Sequence, residues 1–279
     1  MADHSLLGPL VNAVRRHGDP VTWTFPGVNL GNFLYLWQHA ATARRAGVRE
    51  SVLLQDSVEP WLEVFPALRE LSRRRAQVRP WDRRVLEHDH SELGVDFTLA
   101  DLDAFVHERL LSAPGFADAV ERATDPGELV VNVRRGDYYS VPAFRALYGF
   151  DQDGYLRAAV AGSVAADGPP RRVRVVSDGL DWCREHLGWL EDVAPTRFGS
   201  IDEGPLGDLA QVCAATRLVI TNSSFSYWGA YVSGVRSGRP ASVWAPRLHR
   251  RDINGGRAWQ LHPAWQVVDE LPGGWDERP

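Results

Sequence analysis

The chain has 279 residues, of which 44% are apolar and 24% charged, and its formal net charge is −5. This composition describes a folded protein with one large core or two domains. The net negative charge argues against broad binding to nucleic acids or membrane surfaces, which needs a basic excess. All 31 basic residues are arginine. Any binding of phosphate is therefore expected to be local and made by a few arginines.

Cysteine usage and hydropathy exclude several further classes. Cys183 and Cys213 are too few for a disulfide framework and lack the spacing of metal ligands, so both are expected to be buried free thiols. His88 and His90 show no metal-ligand spacing, and no metal site is expected. The N-terminal segment lacks the pattern of a signal peptide, and no apolar run is long enough to span a bilayer. These features predict a cytoplasmic protein without a membrane span, with peripheral membrane attachment left open. They do not indicate the oligomeric state.

The N-terminal half alternates strand and helix patterns. In chain order they predict a helix near 8–17, a strand at 21–25, a helix at 33–47, a strand at 51–56, a helix at 60–71 and a helix at 98–112. Gly47 is placed to end its helix, and Thr98 with Asp101 to begin another. The arginine-rich region 72–95 has no regular pattern and is assigned no element.

From residue 128 the alternation becomes regular. The predicted strands are 129–134, 172–178, 195–198, 217–222 and 241–246, and the predicted helices are 153–165, 180–190, 204–215 and 224–234. Strands that alternate with helices of this length indicate an α/β fold with a parallel sheet. The Pro- and Gly-containing segment 123–128 divides the chain into domains 1–126 and 127–279. Two α/β halves facing each other would form a cleft, and ligands bind at the carboxyl ends of such strands.

Arginines and an aspartate follow the first of these strands. Arg134 and Arg135 have planar guanidinium groups, which match phosphate oxygens bidentately. Gly136 permits a sharp exit from the strand, and Asp137 is placed to orient an arginine. Two alternatives stay open here: a surface salt-bridge cluster, and an Arg-Gly-Asp adhesion loop. The adhesion alternative predicts an exposed loop and a secretion signal.

A serine-rich turn follows another strand. Asn222 ends that strand, and Ser223, Ser224 and Phe225 begin a helix whose free N–H groups and hydroxyls attract anions. Phe225 is also placed to face a nucleotide. The alternatives are ordinary N-capping by serine and packing of Phe225 in the core.

Three further polar residues are candidates for ligand binding. Asp178 and Asp208 lie at predicted helix starts, where a carboxylate either caps the helix or accepts hydrogen bonds from guanine or a ribose hydroxyl. Asn32 lies in the glycine-containing bend GVNLGN, which either brings the backbone close to a ligand or serves the turn itself. His39, on the following helix, is expected to face the core or solvent.

Taken in chain order, these stretches resemble the α-1,2-fucosyltransferase family, glycosyltransferase family 11. The matching stretches are GVNLGNF, NVRRGDY, VSDGLDWC, TNSSFSYWGAY and the tail SVWAPRLHRRD. The resemblance spans residues 27–268 and is strongest from 130 onward. Three positions differ from the family pattern: Asn132 replaces a histidine, Phe33 a glutamine and Gly179 the second aspartate of a Ser-Asp-Asp run.

The resemblance implies a GT-B fold, in which two Rossmann-like domains face a cleft. It implies that the C-terminal domain binds the donor GDP-β-L-fucose, that the N-terminal domain serves the acceptor, and that fucose is transferred with inversion and without a metal or other cofactor. The acceptor would be a hydroxyl of a glycan. By matched position, Arg134 would hold the β-phosphate with help from Arg135 and the Ser223–Phe225 turn.

The resemblance implies roles for the other candidates as well. Asp208 and Asn132 would read guanine, and Asn32 would line the cleft. Asp137 would serve either as the catalytic base or as the carboxylate that orients the arginines. The alternatives are transfer of another GDP-linked sugar, transfer to a non-glycan acceptor such as a natural product, and a GDP-binding protein without turnover.

Overall fold

A computed structural model describes residues 15, 18–87, 91–199, 204–238 and 241–276. Of the helix predicted near 8–17, only residue 15 is among the described residues. His88 and His90 lie outside them. The chain divides into two compact units, Met1–Phe116 and Ala117–Pro279. The predicted division at 126/127 lies in the turn that leads into the first strand of the second unit.

Unit 1 contains a four-stranded, all-parallel sheet with the order β3-β2-β1-β4. Its strands are β1 (Pro20–Trp23), β2 (Ser51–Leu53), β3 (Ser72–Arg73) and β4 (Arg83–Leu86). The strands predicted at 21–25 and 51–56 are therefore present in shorter form. β3 and β4 lie in the arginine-rich region to which no element was assigned, so that assignment was incomplete.

The helices of unit 1 follow their predictions in part. The α-helices are α1 (Leu30–Arg45), α2 (Trp61–Val64), α3 (Leu99–Phe105) and α4 (Pro114–Ala123), the last of which begins in unit 1 and ends in unit 2. Two 3-10 segments follow α2, Pro66–Leu71 and Arg75–Gln77, and α3 continues directly into a π-helical segment, Val106–Leu110. The capping box is confirmed, since Asp101 N donates to Thr98 Oγ1 and Thr98 N to Asp101 Oδ2. Gly47 adopts φ +87 just beyond α1, which confirms its role at the helix end.

Unit 2 contains a six-stranded, all-parallel sheet with the order β10-β9-β8-β5-β6-β7. The strands are β5 (Glu128–Val133), β6 (Arg172–Ser177), β7 (Thr196–Phe198), β8 (Arg217–Ile220), β9 (Ser242–Pro246) and β10 (Gln266–Val268). The first five confirm the predicted strands, and β10 was not predicted. Two units with parallel sheets and crossover helices confirm the α/β class and the Rossmann-like character of both halves.

The helices of unit 2 connect these strands. They are α5 (Gly136–Ser140), α6 (Pro142–Tyr148), α7 (Gln152–Asp167), α8 (Leu180–His186), α9 (Gly204–Ala214) and α10 (Ser224–Ser237). The chain passes from β5 through β6 to β7 and then returns to place β8 on the other side of β5. The order of strands therefore reverses between β5 and β8, and ligands of open α/β sheets bind at such a switch point.

Both cysteines lie in the core of this unit. Cys183 and Cys213 are buried free thiols, as predicted. Burial raises the pKa of Cys183 to about 11, so this thiol stays protonated at neutral pH.

Candidate functional site

The predicted strand-end residues do meet at the switch point of unit 2. β5 pairs with β6 on one side and with β8 on the other, so the residues that follow these strands share one edge of the sheet. Arg134 N donates to Thr221 Oγ1 at 2.9 Å, which ties the end of β5 to the end of β8. The side chain of Thr221 is fully buried, so this link is internal to the sheet edge.

Arg134 lies between two carboxylates. Its Nη1 is 2.5 Å from Asp178 Oδ2, and its Nη2 is 2.5 Å from Asp137 Oδ1. The Arg134 side chain is 23% exposed, against 38% for Asp137 and 33% for Asp178. One guanidinium thus joins the residues after β5 to those after β6. Because guanidinium has five N–H donors, this pairing leaves further donors on the same plane.

Gly136 makes this pairing possible. Its φ is +22, and a Cβ at this position would lie 2.3 Å from Asp178 Oδ2. A side chain would therefore displace the carboxylate that holds Arg134. The predicted sharp exit from the strand is present, and the residues after it form α5 instead of an open loop.

Arg135 has a different environment from Arg134. Its guanidinium carbon lies 3.4 Å from the ring centroid of Tyr139 and 4.1 Å from that of Trp182, so the group is stacked between two aromatic rings. Its main-chain N donates to Asp178 Oδ1 at 2.7 Å. A Cβ on Gly179 would lie 2.5 Å from Arg135 Cβ. Glycine at 179, where the family pattern has aspartate, therefore gives the Arg135 stem its space.

Gln152 belongs to the same cluster and was not predicted. It is 2% exposed, its Nε2 donates to the Arg134 carbonyl at 2.9 Å, and its Oε1 accepts from Arg135 Nη1 at 3.2 Å. One buried amide therefore fixes the main chain of one arginine and the side chain of the next. The sequence signal was weak, because Gln152 only follows Asp151, the residue that caps α7.

The two asparagines turn inward. Asn132 is 5% exposed, donates from Nδ2 to Val176 O at 3.1 Å and accepts at Oδ1 from Ser226. Asn222 is fully buried and donates to Tyr148 O and His249 O at 2.9 and 2.8 Å. Both amides thus join strand ends to neighbouring loops or helices, as internal supports of the sheet edge.

The serine turn caps α10. Ser223 Oγ accepts from Phe225 N at 3.3 Å, so the ordinary capping alternative holds for Ser223. Ser224 begins the helix, and both Ser224 and Phe225 are half-buried, not enclosed in the core. The first N–H groups of a helix of this length have no partner within the helix and attract anions. Capping and anion binding are therefore compatible at this turn.

The other two candidates lie elsewhere. Asp208 is half-buried in the second turn of α9, inside the helix, so the interpretation of Asp208 as a helix cap was wrong. Asn32 is exposed in the first turn of α1 in unit 1, and Phe33 beside it is fully buried. His39 lies 3.6 Å from Glu50 and is half-buried. The ligand contacts assigned to Asn32, Asn132, Asp178, Asp208 and Asn222 stay predictions.

Aromatic side chains border the arginine cluster. The guanidinium carbon of Arg134 lies 5.2 Å from the ring of Tyr138, which stacks on Tyr148 at 4.1 Å between centroids. Burial raises the pKa of Tyr138, so its phenol stays neutral. His249 packs against Tyr148 and Tyr227, and burial lowers its pKa to about 4. His249 is therefore neutral at neutral pH.

The site is an arrangement of paired charges. Arg134 pairs with both Asp137 and Asp178, so its positive charge is offset within the cluster. The adhesion alternative is not supported, because the Arg135 side chain is stacked between rings and Asp137 pairs with Arg134. Within the described ranges, no group of three or more His, Cys, Asp or Glu side chains could hold a metal ion. Nor does any helix found there have the length and apolar character needed to cross a membrane.

Fold and site together define an α/β protein with an arginine–aspartate cluster at the switch point of its second sheet. Residues 119–244 match the model of the family described as Glycosyl transferase family 11. This segment contains the whole strand-end cluster from Asn132 to Phe225, and its match to the family model confirms the resemblance seen in the motifs.

Several curated relatives match part of the chain. Galactoside alpha-(1,2)-fucosyltransferase 2 of Oryctolagus cuniculus is 32% identical over 117 residues, which are 42% of this chain and 32% of the relative. Galactoside alpha-(1,2)-fucosyltransferase 1 of Ateles belzebuth is 31% identical over 156 residues, 56% of this chain and 42% of the relative. The matched regions thus span less than half the length of these relatives.

Solved structures show a looser likeness. POFUT1 in complex with GDP aligns with a TM-score of 0.45 and 11% identity over 82% of this chain and 98% of that chain. A mutant of Arabidopsis thaliana FUT1 in complex with GDP aligns with a TM-score of 0.44 and 11% identity over 88% of this chain and 74% of that chain.

Proposed function

We propose that the protein is an inverting fucosyltransferase that transfers L-fucose from GDP-β-L-fucose to a hydroxyl group of a glycan. The observation that carries this proposal is the coincidence of the family 11 match at residues 119–244 with the strand-end cluster. The relatives named galactoside alpha-(1,2)-fucosyltransferases support a galactose-containing acceptor. GDP-fucose as the donor follows from the family resemblance.

Arg134 is the residue proposed to meet the diphosphate. As the C1–O bond to the donor phosphate breaks, negative charge grows on the departing GDP, and a fixed guanidinium stabilises that charge without a metal ion. The ion pairs of Arg134 with Asp137 and Asp178 support this role, because they hold its plane in one orientation. The first amides of α10 would supply further donors. Metal independence is part of the proposal.

The acceptor hydroxyl must also lose its proton. Asp137 is the proposed participant, either as the base itself or as the group that orients Arg134. Its pairing with Arg134 Nη2 and its half-exposed side chain fit the orienting role. In that case the proton passes to the departing phosphate or to solvent as the acceptor oxygen bonds to C1.

The test is transfer by the purified chain with GDP-fucose and a galactose-terminated acceptor. Arg134→Ala is expected to lower kcat/KM by at least about 30-fold, the equivalent of about 2 kcal/mol of transition-state stabilisation. Arg184→Ala is the matched control, because Arg184 also pairs with an aspartate three residues away but is half-exposed on α8. This control should retain wild-type activity.

Three outcomes would contradict parts of the proposal. Near wild-type transfer by Arg134→Ala would remove Arg134 from the reaction. Preferred turnover of GDP-mannose over GDP-fucose would change the donor. Binding of GDP in calorimetry without transfer or hydrolysis of any GDP-sugar would leave a nucleotide-binding protein without turnover.

A further inference from the structure

Unit 1 contains a cavity of about 380 Å³ whose lining includes none of the residues assigned above to donor binding or catalysis. Its lining residues are Val21, Trp23, Leu53, Arg75, Val78 and Arg84. A volume of this size falls within the range of small-molecule sites, which are mostly apolar with a few polar groups that fix orientation. The lining here has that character, with four apolar side chains and two arginines.

Strand register explains why these residues meet. Val21 pairs with Arg84 across β1 and β4, so their side chains lie on the same face of the sheet. Trp23 follows Val21 by two residues and therefore shares that face. Leu53 belongs to β2, one residue after the pair Thr22 and Val52, and shares the face as well. Arg75 and Val78, from the 3-10 segment and the residue after it, provide the rest of the lining.

The two arginines of this cavity have no counter-charge. Among the residues that the structure describes, neither Arg75 nor Arg84 forms an ion pair, and no acidic side chain lines the cavity. A second cavity of unit 1, about 400 Å³ in volume, provides the contrast. There the arginines are neutralised, since Arg69 pairs with Glu63 and Arg74 with Glu59. Both arginines are exposed, and in a chain with a net charge of −5, two arginines without an ion pair beside one apolar cavity are an electrostatic match for an anion.

Trp23 gives the cavity a ring-binding surface. It is 40% exposed, although Val21 beside it on the same strand is only 2% exposed. An exposed indole face next to guanidinium groups suits a ligand with an apolar ring face and a charged substituent. We propose that this cavity binds an acidic sugar, with the sugar ring against Trp23 and its anionic group held by Arg75 and Arg84. The anionic group is a carboxylate or a phosphate. This proposal needs only unit 1 and does not depend on the transferase function.

The proposal is tested by calorimetric titration of the full chain with three matched sugars: glucose, glucuronic acid and glucose 6-phosphate. At least one acidic sugar should bind at least tenfold more tightly than glucose, with affinity that falls as salt is added. The two acidic sugars distinguish carboxylate from phosphate as the preferred group. Saturating GDP is present throughout, so that any phosphate site in unit 2 is occupied.

Variants localise the binding. Arg75→Gln and Arg84→Gln should each raise the Kd of the bound acidic sugar at least tenfold, and Trp23→Leu should weaken it as well. Arg69→Gln, in the second cavity, should leave the Kd unchanged. Equal binding of glucose, no binding of either acidic sugar at millimolar concentration, or unchanged Kd values in Arg75→Gln and Arg84→Gln would each overturn the proposal. Because none of these readouts involves fucose transfer, failure here would leave the proposed function intact.

Discussion

The Asp178→Asn variant tests whether the proposed role of Arg134 in transfer depends on the ion pair that fixes its guanidinium. Asp178 accepts from Arg134 Nη1 at 2.5 Å and from Arg135 N at 2.7 Å. An asparagine at this position can still accept the main-chain bond through its carbonyl oxygen, but its amide nitrogen would face the donor Arg134 Nη1. The substitution therefore removes one of the two ion pairs that fix the guanidinium and keeps the size of the side chain.

The expected loss follows from the exposure of this pair. A hydrogen bond to a charged group contributes about 1.5–3 kcal/mol when it is shielded and about 0–1 kcal/mol at the surface. Asp178 is 33% exposed and Arg134 23%, so a cost of about 1–2 kcal/mol is reasonable. If the cost falls on the transition state, kcat/KM for GDP-fucose drops by roughly 5- to 30-fold.

The assay combines initial rates of fucose transfer with thermal unfolding. The melting temperature should fall by less than about 8 °C, because a loss of about 1–2 kcal/mol shifts it by about 2–4 °C for each kcal/mol in a chain of this size. Asp181→Asn is the matched control: its side chain is fully exposed on α8 and pairs only with Arg184. Transfer by Asp178→Asn within twofold of the wild type would refute the anchoring role. So would a similar loss of activity in Asp181→Asn.

Two further predictions concern packing and pH. Gly179→Ala would place a Cβ 2.5 Å from Arg135 Cβ, and we expect urea denaturation to show a loss of about 1–3 kcal/mol. Gly188→Ala, which meets no atom within 4 Å, should be neutral; equal stability of the two variants would contradict the close contact. For His249, the folded-state pKa of about 4 lies below the ordinary 6.5, so the unfolded state binds the proton first. The free energy of unfolding should therefore decrease by up to about 3 kcal/mol as pH falls from 6.5 towards 4. In urea denaturation at several pH values, His249→Gln should lack this part of the pH dependence. The same pH dependence in the variant and the wild type would disprove the prediction.

The fold was predictable where local patterns are long. β5 is a six-residue run that is buried throughout, and α10 extends over fourteen residues, so both are long enough to be recognised in the sequence. β3 has two residues, which is too short for a pattern, and β10 is a three-residue strand that was not predicted. Such strands exist because a neighbouring strand pairs with them. That is a tertiary effect which no local window contains.

The site was predictable in its composition but not in its connections. The sequence indicates that Arg134 and Asp137 are close, because they are three residues apart after a strand. It does not indicate that Asp178, on another strand, completes the pair, nor that Gln152 holds both arginines. Nor does it indicate that the Arg135 guanidinium is stacked between Tyr139 and Trp182; its assistance at the phosphate stays a prediction. These contacts depend on how separate elements pack, and identical motifs permit several packings.

The pairing of charge in the cluster has a consequence for how an anion binds. Asp137 and Asp178 offset the charge of Arg134, so a diphosphate would gain little long-range attraction from this ion-paired guanidinium. In the proposed reaction, binding of the diphosphate would come from donors fixed in position: the remaining N–H bonds of Arg134 and the first amides of α10. Fixing a side chain in advance saves about 0.5–1.5 kcal/mol of ordering on binding. Asp137 and Asp178 thus reduce the long-range attraction of the site for anions in general, and they increase its selectivity for an anion whose oxygens match the geometry of Arg134.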